Sequence, residues 1–261
     1  MQEDFSKYNS EGTTLRRAQL RMLEILVEID KICCKHNIQY WLDSGTLLGA
    51  IRHDGFIPWD DDLDIAVLRK DYKKLRKALQ EELPEQFVIQ DWTTEKKYPI
   101  KFGKVRDRKS YYYTNNWDDK VKENGIFIDI FSVEKGNSKL KKIADFLYKR
   151  AFRRIRRDTE KKYEIFIAYL IWPLACVLVC IARLLALLTS DQMVYAYGTT
   201  AMQNEFSKND IFPLQQIQFE GLQFYSPKNP NGYLTSLYGN YMTIPIEKDR
   251  ETHTNHIEIY D

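Results

Sequence analysis

The sequence has almost no excess charge of either sign: its 261 residues carry 39 Lys and Arg against 37 Asp and Glu, a formal net charge of +2. It therefore lacks a bulk electrostatic pull toward nucleic acid. No nucleic-acid partner is expected, and any basic patch must be local. Cysteine is scarce as well. Cys33 and Cys34 are adjacent and Cys176 and Cys180 lie four apart, so neither pair has the CxxC spacing of a zinc site, and all four read as reduced packing residues. There is no internal repeat and no low-complexity tract. The opening QEDFSKYNSEGTT is polar and acidic, without the apolar run of a secretory signal, so the chain is expected to face the cytoplasm. Against these absences stand 44% apolar and 29% charged residues, enough to bury a core; one domain with an elaboration is the expectation.

Hydrophobic periodicity divides the chain. Leu15, Ala18, Met22, Leu26, Ile29 and Ile32 recur at steps of three and four, the period of an amphipathic helix, and Thr13 or Thr14 can cap it. Ile38, Tyr40 and Leu42 then alternate with their neighbours as in a short strand. Residues 46–52 predict a short helix, 62–68 a strand, and Tyr72, Leu75, Leu79 and Leu83 a helix stopped before Pro84. Strands at 87–90, 101–105 and 126–131 complete the expected fold class, a mixed α/β core of α+β kind. From 138 to 206 no strand pattern survives and the segment reads as helices, while the tail from Ile211, with four prolines, reads as loop. The expected division is a core over 1–136, a helical insertion over 137–207 and a C-terminal segment over 208–261.

Residues 45–68, GTLLGAIRHDGFIPWDDDLDIAVL, place Asp60, Asp61, Asp62 and Asp64 within five positions. On a strand, side chains alternate between faces. Asp62 and Asp64 then project together while Leu63 and Ile65 enter the core; Asp60 can share their side and Asp61 points the other way. Carboxylates this close repel one another, and a divalent cation with oxygen ligands, Mg²⁺ or Mn²⁺, relieves them. An isolated DDD is more often a solvated turn, but FIPW before it and IAVL after it put these acids at the mouth of a core strand. Asp129 is the one polar residue of IFIDIF, a charge that needs a partner or a metal. Acids on two neighbouring strands can hold one or two metals against a diphosphate or triphosphate, so Asp62, Asp64 and Asp129 are the candidate catalytic and metal-holding residues. Asp60 is a further candidate ligand. Gly45 and Thr46, at the entry to a helix, offer backbone amides to a phosphate. Lys104, Arg106 and Arg108 alternate in KFGKVRDRKS, where they form either a cationic wall for phosphates or an exposed strand face.

The stretch YWLDSGTLLGAIRHDGFIPWDDDLDIAV, with KVRD, GIFIDIF and the late YLTSLYGNYMTIP, resembles the LicD family of phosphotransferases, which shares its nucleotidyltransferase-like core with the fukutin-related proteins. The likeness spans most of the chain outside 137–207. It implies transfer of phosphocholine or another phospho-polyol from a CDP-linked donor to a glycan or glycolipid acceptor such as teichoic acid, capsule or lipooligosaccharide. By position it implies metal ligation by Asp62, Asp64 and Asp129. Arg52 and His53 lie inside the first motif and join Gly45, Thr46, Lys104 and Arg106 as candidate donor- and phosphate-binding residues. A choline would be caged by aromatic faces. Tyr111, Tyr112, Tyr113, Trp117, Tyr238 and Tyr241 are available for that, or simply pack.

Three rival readings share the acids. A glycosyltransferase with a metal-binding DxD normally has a nucleotide-binding α/β unit before that motif, and here one helix and one strand precede it. A catalytically silent scaffold would not need Asp62, Asp64 and Asp129 intact, and a nuclease would want a more basic chain. Residues 165–182 contain no charge and follow Lys149, Arg150, Arg153, Arg154, Arg156 and Arg157. That pairing suits peripheral attachment to an anionic membrane, on the inner face of the plasma membrane. An interfacial or re-entrant helix is expected, because a full span would strand YLTSLYGN across the bilayer from Asp62; a merely buried helix is the plain alternative. His253 and His256 read as surface histidines of the tail, and His36 as structural.

Overall fold

Thr13 opens the first long helix: its hydroxyl accepts the Arg16 amide at 3.2 Å. In the computed structural model, which describes residues 4–113, 121–156, 161–188, 191–199, 204–250, 252–254 and 256–260, a single turn α1 (Ser6–Asn9) leads into this helix, α2 (Thr14–His36). Trp117 and Arg157 lie outside the described residues. One stripe of α2, from Ala18 through Met22, Ile25 and Ile29 to Ile32, is buried. Then follow β1 (Tyr40–Leu42), α3 (Ser44–His53), β2 (Asp64–Leu68), α4 (Arg69–Glu82) and β3 (Phe87–Gln90), close to where the periodicity puts them. Next come β4 (Gly103–Asp107), β5 (Ser110–Tyr113), β6 (Phe127–Lys135), α5 (Ser138–Arg156) and α6 (Lys162–Leu187). The chain finishes with β7 (Gln192–Tyr195), β8 (Glu205–Ser207), α7 (Lys208–Ile211), β9 (Gln215–Phe219), β10 (Leu222–Ser226), α8 (Pro230–Tyr238) and β11 (His256–Ile259).

The fold is mixed α/β. Its main sheet runs β1-β2-β6-β4-β3, with β6 at the centre: parallel to β2 on one edge and antiparallel to β4 on the other. β4 covers only the first half of that second edge. β7 pairs antiparallel with the rest, Val133 to Lys135, and β8 with β7. The reading of 138–206 as helix throughout is thereby corrected. These strands of four and three residues are too short to show a period, and they become strands because β6 leaves backbone groups open beyond β4. The tail is likewise more regular than its prolines suggest, with a β9–β10 hairpin, α8, and β11 paired to β5. All four cysteines are free.

Candidate active site

β1 delivers Asp43 to the start of α3. Asp43 is fully buried and accepts the Ser44 amide at 2.8 Å, while the hydroxyls of Tyr195 and Tyr233 donate to it at 3.0 and 2.7 Å. Burial pushes its carboxyl up to about 6. Ser44 takes φ 45°, in the left-handed region that a residue with a Cβ rarely adopts. Beside it, Gly45 sits so close to Asp60 that a Cβ would stand 2.8 Å from its Oδ2. Two strands complete the arrangement. Asp64 opens β2 as the register partner of Asp129 on β6, and Asp129 is in turn the register partner of Lys104 on β4. The Lys104 ammonium meets Asp129 at 2.5 Å. Asp62 lies just ahead of β2 rather than within it. Asp60, Asp62, Asp64 and Asp129 together line a cleft of about 470 Å³ with Ser44, Gly45, Tyr238 and His253.

Crowding governs the electrostatics. Burial, then repulsion from Asp62 and Asp129, holds Asp64 well above the usual carboxylate range, and burial with Asp62 does the same to Asp60. Burial raises Asp62 against the pull of His253, and raises Asp129 against the pull of Lys104. Lys104 is itself lowered by burial, with Asp129 opposing. Asp61 does not line the cleft, although its carboxylate lies within 4.8 Å of that of Asp60: it accepts the amides of His253 and Thr254 at 2.9 and 2.8 Å and His253 Nδ1 at 3.0 Å. That last bond lifts the imidazole up to about 9, and Nδ1 is also 3.6 Å from Asp62. Asp60, Asp62, Asp64 and Asp129 offer the cleft oxygen donors of the kind a hard divalent cation prefers. Among the described residues the ligand atoms gathered within 4.8 Å of one another are those of Asp60, Asp61 and His253, and the oxygens of Asp61 are already taken by N–H groups.

Residues 37–165 match the family model described as LicD/FKTN/FKRP, nucleotidyltransferase domain. The lipopolysaccharide cholinephosphotransferase LicD of Haemophilus influenzae is 29% identical over 272 residues, which cover 92% of this chain and 96% of that protein. Residues 37–165 are thus a LicD-family nucleotidyltransferase domain. The chain is a LicD-like transferase. A shorter stretch, 34 residues or 13% of the chain, is 50% identical to 7% of the human ribitol 5-phosphate transferase FKRP.

The LicD motif residues do not all reach the cleft. Gly45, Asp60, Asp62, Asp64 and Asp129 do. Thr46 lies beneath, its buried hydroxyl accepting the Asp64 amide at 2.8 Å and so fixing the start of β2. Lys104 faces Asp129, but Arg106 is buried elsewhere, donating to Gln90 at 2.7 Å and to the Gly125 carbonyl at 2.9 Å, and Arg108 is exposed past the end of β4. The three cations thus form neither one wall nor one exposed face. Arg52 donates to the Tyr241 carbonyl at 2.9 Å and to His53 at 3.0 Å. His53 stands edge-on to Phe5 and Trp59, and burial with the Arg52 charge lowers it to about 4. Neither Arg52 nor His53 lines the cleft. Of the aromatic residues considered for choline, Tyr238 lines it, whereas Tyr112 is buried against Phe127 and Tyr111 and Tyr113 lie on β5. His36 pairs with Glu82. His253 is the residue that sequence reasoning misses, because its connection to Asp61 spans 192 positions and leaves no local trace. Tyr238 does leave one, within YLTSLYGNYMTIP.

Proposed function

We propose that this protein transfers a phospho-linked small group, phosphocholine or a phospho-polyol, from a CDP-linked donor to a hydroxyl of a cell-surface glycan or glycolipid. Teichoic acid, capsule and lipopolysaccharide are the acceptor classes in view. The observation that carries the reading is the row Asp64–Asp129–Lys104 across adjacent strands, with Asp60 and Asp62 in the same cleft. The names of the relatives, a cholinephosphotransferase acting on lipopolysaccharide and a ribitol 5-phosphate transferase, support the group and the acceptor.

Asp62, Asp64 and Asp129, with Asp60 beside them, would hold Mg²⁺ or Mn²⁺. The cation would supply positive charge for the donor phosphates and the leaving group. Gly45, having no Cβ, leaves the space in front of Asp60 open for a phosphate oxygen. Asp129, steadied by Lys104, orients the attacking hydroxyl. The hydroxyl oxygen bonds in line to the phosphorus carrying the small group, the bond from that phosphorus to CMP breaks, and the hydroxyl proton is given up to water. No covalent enzyme intermediate is needed.

The test is CMP release from CDP-choline, CDP-ribitol and CDP-glycerol, with lipopolysaccharide or teichoic acid as acceptor and a nucleotide-sugar as the contrasting donor. One CDP donor should be consumed in Mg²⁺ or Mn²⁺ and spared in EDTA. Turnover that survives EDTA, or consumption of the nucleotide-sugar in place of every CDP donor, would overturn the reading.

A further inference from the structure

α5 and α6 fold back on each other as a hairpin inserted between β6 and β7, and both of those strands stay paired in the main sheet. Three contacts hold the hairpin along the body of the protein. Arg183 of α6 donates twice to Glu134 of β6, at 2.8 and 2.9 Å. Partway along, the Lys101 ammonium lies 5.1, 5.6 and 4.8 Å from the ring centres of Trp92, Tyr148 and Phe152. At the far end of α5, Arg156 donates to the carbonyls of Trp92, Glu95 and Lys96 at 2.8, 3.2 and 3.0 Å. Inward, α6 buries small residues: Ala168, Ala175, Val179, Ala182 and Ala186. Outward, Phe166, Leu170, Leu174, Val177 and Leu184 are each more than half exposed, a continuous apolar face along a helix about 39 Å long.

Charge indicates what covers that face. Lys139, Lys142, Arg150 and Arg153 are exposed on α5, and Lys162 at the start of α6. Residues 138–188 hold twelve Lys and Arg against four Asp and Glu, whereas the rest of the chain holds 27 against 33. The near-neutral total hides a basic hairpin on an acidic body.

We infer that α6 is a membrane-docking surface, lying side-on in the boundary between headgroups and acyl chains of a bilayer that contains anionic lipid. A span is excluded by topology, since both ends of the hairpin return to one sheet and Asp62 shares its cleft with Tyr238 and His253 from beyond α6. Tip-first entry is excluded because Arg156, near the tip, is tied to the body. A second copy of the chain is a poor cover, because two such basic hairpins repel, whereas an anionic surface attracts each one. The inference stands on the hairpin alone and does not depend on the transfer reaction.

Flotation of the full-length protein with vesicles tests it. The protein should rise with vesicles of phosphatidylcholine and phosphatidylglycerol at least about tenfold more than with phosphatidylcholine alone. Leu170→Gln, Leu174→Gln and Leu184→Gln together should abolish flotation with no change in melting, since all three are exposed and Gln is a good helix former. Lys142→Glu with Arg150→Glu should remove the preference for anionic lipid. Wild-type protein that stays at the bottom of the gradient with both vesicles overturns the inference, as does a triple variant that floats like wild type. A stable dimer that dissociates in the triple variant and ignores vesicles also overturns it, in favour of a second copy.

Discussion

The cleft aspartates are alike in type and unlike in what each one supports. Asp62 and Asp64 sit among like charges, so Asp62→Asn or Asp64→Asn relieves repulsion and should leave melting unchanged or higher. CMP release should fall about a thousandfold, equivalent to roughly 4 kcal/mol of transition-state stabilisation. Asp129→Asn should lose as much activity and also melt lower. It leaves the Lys104 ammonium, 7% exposed, without its 2.5 Å partner, and breaking a buried pair from one side costs about 3–5 kcal/mol. Adding Lys104→Met to Asp129→Asn should restore melting but not turnover; a single variant that melts like wild type would show the pair to be dispensable. Asp61 is a different case. It lies ahead of β2, where strand alternation does not apply, and nothing local hints that it holds the C-terminal segment through two amides and an imidazole. Asp61→Asn should therefore cost about 1–3 kcal/mol of stability as those donors lose a charged acceptor. Melting at the wild-type temperature would show that the segment is held by other contacts.

Among the elements, those that could be read in the sequence are those whose signal is local. α2 shows its buried stripe and its cap, α4 stops at Pro84, and β6 shows as an apolar run. α3 was legible in the same way, and its position depends on close packing: a Cβ on Gly49 would run into the Gly55 carbonyl and stand 3.0 Å from the Ile57 amide. Both obstacles are backbone, which cannot rotate aside, so Gly49→Ala should cost about 1–3 kcal/mol by overpacking. It should also lower activity, because the displaced loop leads to Asp60; thermal melting and CMP release together check this, and an unchanged melt refutes it. β7, β8 and β11 could not be read, since each exists by pairing with a strand remote in sequence. The cleft shared this limit. Its floor from β2 and β6 was evident from Asp62, Asp64 and Asp129, while its C-terminal wall with His253 was not.

For the whole molecule, the strained acids make stability depend jointly on pH and cation. Asp43, Asp60, Asp62, Asp64 and Asp129 all have folded pKa values above the unfolded 3.8, so the native state binds more protons and stability falls as pH rises from there, for Asp43 through about 6. His53 has the opposite sign. Its folded value of about 4 lies below the unfolded 6.5, so it adds stability as pH rises between them. Between pH 6.5 and 7.5 His53 gives up its remaining protons only in the unfolded state, and Lys101 and Lys149, lowered to about 8, keep most of theirs, so both oppose the acids only weakly there. His253, raised from 6.5 to about 9, stabilises fully below 6.5 and loses that contribution as pH climbs through 9. In EDTA the melting temperature should therefore fall from pH 6.5 to 7.5, and the fall should be shallower in His253→Gln. Mg²⁺ or Mn²⁺ binds the ionised carboxylates and stabilises by mass action, so its increment should grow with pH over the same window and offset the fall. In Asp64→Asn the increment should largely vanish while the protein still folds. Melting curves at four or more pH values, with and without cation, decide the matter: parallel profiles would mean that these acids hold no metal, and a rising profile in EDTA would mean that His253 is not paired with Asp61 in solution.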